Sequence, residues 1–224
     1  LQDLKFAARS LSKSPGFVSV AILTLALGIG ANTAIFTVVH AALLSPLPYP
    51  EADRIVAVWE AREDGSATYV SPRNFLDWKA GASAFEALAL HPSHAFSSPT
   101  TVLGGELPAR AWITAVTRDF FDAIGIEPAI GRRFSEQEWQ VDAPAVAIVS
   151  HEFWRTVLAG QSDLSAIELR AFGATAPVVG VMPEGFSYPA ATDIWLPTDA
   201  AGMSTSRTSH GYEVVGRLRD GVSI

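Results

Sequence analysis

The sequence predicts an α+β protein: one N-terminal transmembrane helix followed by a mixed α/β extracytoplasmic domain. Three observations lead there. An uncharged apolar run starting at Phe17 is long enough to cross a bilayer. Basic residues precede it and acidic residues follow it. Beyond it, short strand and helix patterns interleave without a strict βαβ rhythm, which favours antiparallel or mixed sheets.

Bulk composition agrees with this division. The chain has 224 residues, 49% of them hydrophobic and 17% charged, with a net charge of −7. Lys5, Arg9 and Lys13 outnumber Asp3 by two in residues 1–50, so residues 51–224 carry about nine excess negative charges. A basic, apolar head on an acidic body is the pattern of a membrane anchor and a soluble domain. No basic stripe follows residue 50, which argues against nucleic-acid binding. The absence of cysteine excludes disulfides, thiolate metal sites and cysteine nucleophiles.

Residues 1–16 form the first segment, a cytoplasmic one. Leu4, Ala7, Ala8 and Leu11 recur at helical spacing among the basic residues, as in a helix lying against anionic headgroups. Residues 17–44 form the span. From Phe17 to Val39 no Asp, Glu, Lys, Arg or Pro interrupts the chain, and about 20 such residues at about 1.5 Å each cross a hydrocarbon core of about 30 Å. The Gly28-Ile29-Gly30 stretch superficially suits a dinucleotide-binding loop. However, the residues before it are already helix-length, and Glu51 and Asp53 lie beyond Pro46, Pro48 and Pro50. A cleaved signal peptide fits less well, because the run exceeds the usual apolar core of about 7–15 residues.

Within the span, Gly28 and Gly30, with Ala26, Ala31 and Ala34, predict a small-residue surface for close approach of other helices. Asn32 and Thr33 are costly against lipid and are assigned to the same packing role, the alternative being that Asn32 sits near the interface. The positive-inside bias places the N-terminus in the cytoplasm and residues 45–224 outside.

Pro46, Pro48 and Pro50 end the helix as a stiff connector. Arg54–Glu60 then reads as a strand, and Ser71-Pro72 as a helix cap followed by proline at the first helical position. That helix places Phe75, Trp78, Ala82 and Phe85 roughly on one side. Strands follow at Glu86–Leu90, Thr100–Leu103 and Pro108–Val116, with a turn at Gly104-Gly105. Thr117 is assigned as cap of a short helix ended by Gly125, and Ser135 with Glu138 has capping-box spacing. Pro144–Val149 reads as a buried strand, His151–Leu158 as a helix, Ile167–Phe172 with Val178–Met182 as a hairpin, and Tyr212–Leu218 as a last strand.

Residues suited to catalysis do not converge. His91 and His94 are three apart, but Pro92 breaks helical presentation and no adjacent carboxylate completes a metal set, so they read as a solvated loop. Ser150, His151 and Glu152 are triad residue types in adjacent positions, which cannot form a relay; Ser150 reads as a helix cap. Glu136 and Glu138 fall in a capped turn, and Asp193 reads as a turn residue. Trp59, Trp78, Trp112, Trp154 and Trp195 are expected in the core, and Trp139 partly exposed.

Several stretches together resemble one known family. "DLKFAARSLSKSPGFVSVAILTLALGIGANTAIFTVVHAALLSPLPYP" is similar to the N-terminal segment of MacB/FtsX-type ABC transporter permeases, of the large type abundant in Acidobacteria. The similarity continues through "SPRNFLDWKAGASAFEALA", "ITAVTRDFFDAIGIEPAIGRRFSEQE", "VAIVSHEFW", "VVGVMPEGFSYP", "DIWLP" and "VVGRLRDGVS". The resemblance implies that residues 45–224 are a MacB-like periplasmic core domain of two lobes, one porter-like and one mixed. It implies a non-catalytic permease in the bacterial inner membrane that transmits conformational change for efflux or export. The implied partners are an ABC ATPase subunit, other permease helices or a second permease copy, a periplasmic protein, and membrane lipid. No cofactor is implied for the chain itself, because ATP would be bound by the ATPase subunit. Two departures stand out. "RTVLAGQSDLSAIELRAFGATAPVV" is shorter and less regular than the family pattern between Trp154 and Val178. The chain also stops at Ile224, before a second span, which leads us to expect a fragment of a longer permease. The alternative is a single-span, membrane-anchored ligand-binding or sensor module.

Overall fold

The computed structural model describes residues 13–39, 48–140, 142–203 and 206–223. They fall into two units, one within residues 1–48 and one within 49–224. In the first, α1 (Pro15–Val39) carries no charged residue. The segment assigned as amphipathic, most of residues 1–16, lies outside the described residues, as do residues 40–47 with the end assigned to the span and Pro46 of the connector.

The second unit is built on two sheets. Strands β1 (Ile55–Val58), β2 (Glu60–Ala61) and β3 (Ala67–Thr68) precede α2 (Pro72–Gly81) and β4 (Phe85–Pro92). A hairpin, β5 (Thr100–Val102) and β6 (Ala109–Ala111), leads into β7 (Ile113–Val116) and α3 (Phe120–Ile124). Next come β8 (Ile130–Gly131), β9 (Ala147–Val149), α4 (His151–Thr156), β10 (Glu168–Ala171) and β11 (Ala174–Val181). β12 (Ile194–Pro197), α5 (Ala200–Met203) and β13 (Tyr212–Leu218) complete the order. The small sheet runs β1-β13-β4 and is antiparallel. The large one runs β10-β11-β9-β12-β7 with β8 on β11, and mixes parallel β11–β9 and β12–β7 pairs with antiparallel ones.

Side-chain alternation along the strands explains how these sheets stack. Ala87 and Ala89 of β4 and Val215 of β13 join a core shared with Ile148 of β9, Trp195 of β12 and all four apolar residues of α3 that are buried. Their strand neighbours Leu88, Leu90 and Val214 face the opposite way, onto Phe75 of α2. In the large sheet Ala147, Val149 and Ile194 likewise turn outward, toward Phe153 of α4 and the β5–β6 hairpin. Both sheets are therefore covered on both faces, which is why β4 and β9 read as near-continuous apolar runs. The central strand of the small sheet has room for Phe85 only because residue 216 is glycine; a Cβ there would lie 2.6 Å from the ring.

Local signals in the sequence hold where the chain contacts itself. Ser71 Oγ accepts from the Asn74 N–H and Pro72 opens α2. Ser150 Oγ accepts from the Phe153 N–H, and the Glu138 carboxylate accepts from the Ser135 N–H. Gly125 ends α3 at φ 76°. Four expectations are corrected. Thr117 does not cap α3; its hydroxyl accepts from the Leu90 N–H and ties β4 to the β7–α3 junction. Pro108–Val116 is two strands in different sheets, broken where the Trp112 N–H donates to the Asp193 carboxylate. His91 is no solvated loop residue: it lies fully buried on β4, inside the junction of the two sheets. The tryptophans divide differently too. Trp139 is buried against Phe134, whereas Trp59, next to the edge strand β1, is 43% exposed.

Candidate functional site

Pro15–Thr37 has the length and hydropathy of a membrane span, and its large apolar side chains are exposed in the chain on its own. Thr24 and Thr37 turn their hydroxyls back onto the Val20 and Thr33 carbonyls, so these polar groups are satisfied within the helix. At about 100° per residue, Ala26, Gly30, Thr33, Ala34 and Thr37 share one stripe while Gly28 and Asn32 share nearly the opposite one. Gly28 and Gly30 therefore lie on different stripes, with Ala31 between the two. Apart from the helix's own adjoining backbone, no described atom lies within 4 Å of where a Cβ on Gly28 or Gly30 would stand.

In the domain, the strands that begin and end it are neighbours. Ile55, the first residue of β1, is opposite Arg217 near the end of β13. The incoming and outgoing segments therefore meet at one end of the small sheet.

The junction between sheets holds the most perturbed groups. His91 Nδ1 lies 3.0 Å from the Pro92 carbonyl, and its Nε2 lies 3.4 Å from the Tyr188 hydroxyl. Phe120 stands edge-on to the imidazole. Burial holds the imidazole below its ordinary pKa, against the opposing pull of the Pro92 carbonyl and of Glu213. Glu213 is opposite His91 in the ladder and accepts from Ser93 Oγ at 2.6 Å. Burial also pushes the Tyr188 hydroxyl up. A histidine with a lowered folded pKa stabilises the fold fully above its ordinary value of about 6.5. That stability is lost as pH falls from there through the lowered value, because the unfolded chain binds the proton more tightly. The thermal stability of the full chain in detergent should therefore fall from pH 7 to pH 5. His91→Phe should flatten that dependence; an unchanged slope in the variant would assign the sensitivity elsewhere.

The remaining residues singled out in the sequence have structural partners. His94 packs against Trp112 with its ring tilted by 35° and the centroids 3.8 Å apart. Glu136 pairs with Arg118 and Glu138 with Arg132, so the two carboxylates serve different cations. Burial raises the Asp193 carboxyl, opposed by the Trp112 N–H that fastens β12 to the start of β7. Sequence reasoning missed His210, whose Nδ1 lies 2.9 Å from the Tyr69 carbonyl and 3.4 Å from Glu60. Glu60 also accepts from the Ser71 N–H and from Asn74, so it organises the start of α2. Glu60 and His210 border an open groove of about 640 Å³ with Arg62, Glu63 and Asp64. An apolar hollow beside Val102, Leu169 and Ile194 measures about 90 Å³, below the roughly 300–1,000 Å³ of drug-sized ligand pockets. No group of three or more metal-ligating side chains occurs among the described residues.

A span-length helix in one chain with a two-sheet domain whose ends lie side by side suits a domain tethered to a membrane. Residues 18–224 match the family model of the MacB-like periplasmic core domain, and the chain belongs to that family. No curated protein matches it. Among solved structures, a domain of a permease protein from Porphyromonas gingivalis is similar at 18% identity and a TM-score of 0.59, covering 78% of this chain and 79% of that one. The periplasmic region of MacB from Actinobacillus actinomycetemcomitans matches at 13% identity and TM-score 0.55, covering 76% and 77%. The extracellular domain of the ABC-type transporter YknZ from Gram-positive bacteria matches at 14% and 0.53, covering 75% and 84%. At these identities the likeness concerns the fold.

Proposed function

We propose that the chain serves in a non-catalytic ABC-type permease subunit, transmitting conformational change between a cytoplasmic ATPase and the periplasm during export. The observation that carries this reading is the pairing of β1 with β13. Chain segments arriving and leaving at one end of a compact domain can displace it as a body, whereas segments at opposite poles would stretch it. Support also comes from the family assignment and the span-length helix. In this reading Lys5, Arg9 and Lys13 keep the N-terminus cytoplasmic. The two stripes, with Gly30 and Thr33 on one and Gly28 and Asn32 on the other, pack against further permease helices or a second copy.

The test uses the complete permease with its ATPase in a bilayer. Residues 1–224 hold no cysteine, so Phe172→Cys, at an exposed hairpin tip, places one spin label on the domain. A second label is placed on a cytoplasmic loop of the permease. ATP with vanadate should shift the distance distribution between the two labels. Identical distributions with and without nucleotide would overturn the reading, and failure to co-purify any ATPase would favour a single-span sensor.

A further inference from the structure

Two arginines gather where the incoming and outgoing segments meet. Arg54, just before β1, sends Nε to the Leu218 carbonyl at 2.8 Å and Nη1 to Glu51 at 2.6 Å and Asp220 at 2.8 Å, while Nη2 reaches Glu86. Arg217, on β13, is buried, with 6% of its side chain exposed. Its Nε donates to the Asp122 carbonyl at 3.1 Å and Nη2 to the Pro50 carbonyl at 3.1 Å, and Nη1 lies 3.5 Å from Glu51. Gly125 leaves the space this guanidinium fills: a Cβ there would stand 2.4 Å from Nη2. Glu51 thus joins both cations, and residues 50, 51, 54, 86, 122, 217, 218 and 220 form one network.

The position of the network suits a mechanical role. β1 is an edge strand held by only four register pairs, Ile55–Val58 on Val214–Arg217. Both chain ends leave from the same end of this ladder, so a force separating them would load its rungs one after another, beginning at Ile55. Four rungs opened singly resist little. The arginines bridge the two segments just ahead of that first rung, each with one charge-assisted bond to a backbone carbonyl across it, Arg217 to Pro50 and Arg54 to Leu218, the stronger kind.

We propose that Arg54 and Arg217 are positioning residues that clasp the incoming segment to the outgoing strand, so that a pull on either moves the domain whole instead of peeling β1. The clasp's use in transport rests on the transmission reading above; the clasp itself does not.

The test is constant-force spectroscopy on the full chain in detergent micelles, with handles on Pro48→Cys and Val222→Cys. Arg217→Lys and Arg54→Gln should each shorten the time to first opening about tenfold, the equivalent of one good charge-assisted bond. Glu51→Gln, at a position whose side chain is 62% exposed and so no threat to folding, should shorten it less. Glu51→Gln should add little further once Arg54 is replaced, because the closer of its two ion pairs, at 2.6 Å, is the one with Arg54. With handles moved to Leu107→Cys and Phe172→Cys, the same variants should leave dwell times unchanged; a parallel loss there would mean general destabilisation and would overturn the clasp. Unchanged dwell times with the first handle pair would overturn it as well. If the clasp variants open early yet the ATP-driven label shift of the complete permease is undiminished, the clasp stands as a latch and its part in transmission is overturned.

Discussion

Trp195→Ala should destabilise the domain by about 3–5 kcal/mol, a large share of a typical stability of about 5–15 kcal/mol. Trp195 is fully buried and joins the two sheets. Its ring lies against Phe186 at 5.3 Å, and its Nε1 donates to the Tyr188 carbonyl at 3.0 Å. Truncation would leave a cavity where both sheets meet and an unpaired carbonyl beside it. Trp59→Ala is the matched control. That side chain is 43% exposed beside Tyr69, so its loss should cost about 1 kcal/mol or less. Urea unfolding in micelles, followed by circular dichroism so that the lost fluorophore is immaterial, gives both values. Equal costs would mean that the shared core does not hold the sheets together.

Replacing both Gly28 and Gly30 by Leu should abolish assembly of the complete permease while leaving the domain folded. Leucine adds four heavy atoms at each position, enough to prevent the close backbone approach that small residues allow. Because the two glycines fall on different stripes, the single variants carry separate information. Gly30→Leu should disrupt the contact made by Ala26, Thr33 and Ala34, and Gly28→Leu the one made with Asn32. Energy transfer between labelled spans in bilayers would report each contact. If the double variant assembles and functions normally, α1 is an anchor and nothing more.

Much of the fold is legible because its signals are local. Ser71-Pro72, Ser150 and Gly125 mark helix ends by side-chain and φ preferences that act within a few residues. Tyr212–Leu218 reads as a strand and is one. Errors fall where a distant partner decides. Pro108–Val116 ends in the strand formers Trp112, Ile113, Thr114 and Val116, and nothing within it announces that Asp193, some 80 residues on, will take the Trp112 N–H and divide it. His91 has the neighbours of a loop, Pro92 and Ser93, yet β4 continues through it because β13 pairs with it and Tyr188 covers it. Trp139 ends a capped turn that any reading would place at the surface, and packing against Phe134 buries it. The candidate site divides the same way. Residue types in the span, its small residues and its flanking charges can be read directly. That Gly28 and Gly30 lie on different stripes requires only helix geometry, which a list of small residues conceals. The arginine network cannot be read at all, since Arg54 and Arg217 are over 160 residues apart.

By itself, then, the sequence determined the apolar span, the charge asymmetry across it, the helix caps and most strands, because hydrophobic run length, charge and backbone preference act locally. Tertiary structure alone decided which strands are neighbours, which faces are covered and where buried polar groups find partners. Those outcomes depend on long-range pairing and desolvation, and at the meeting of β1 and β13 they place two cations on one carboxylate.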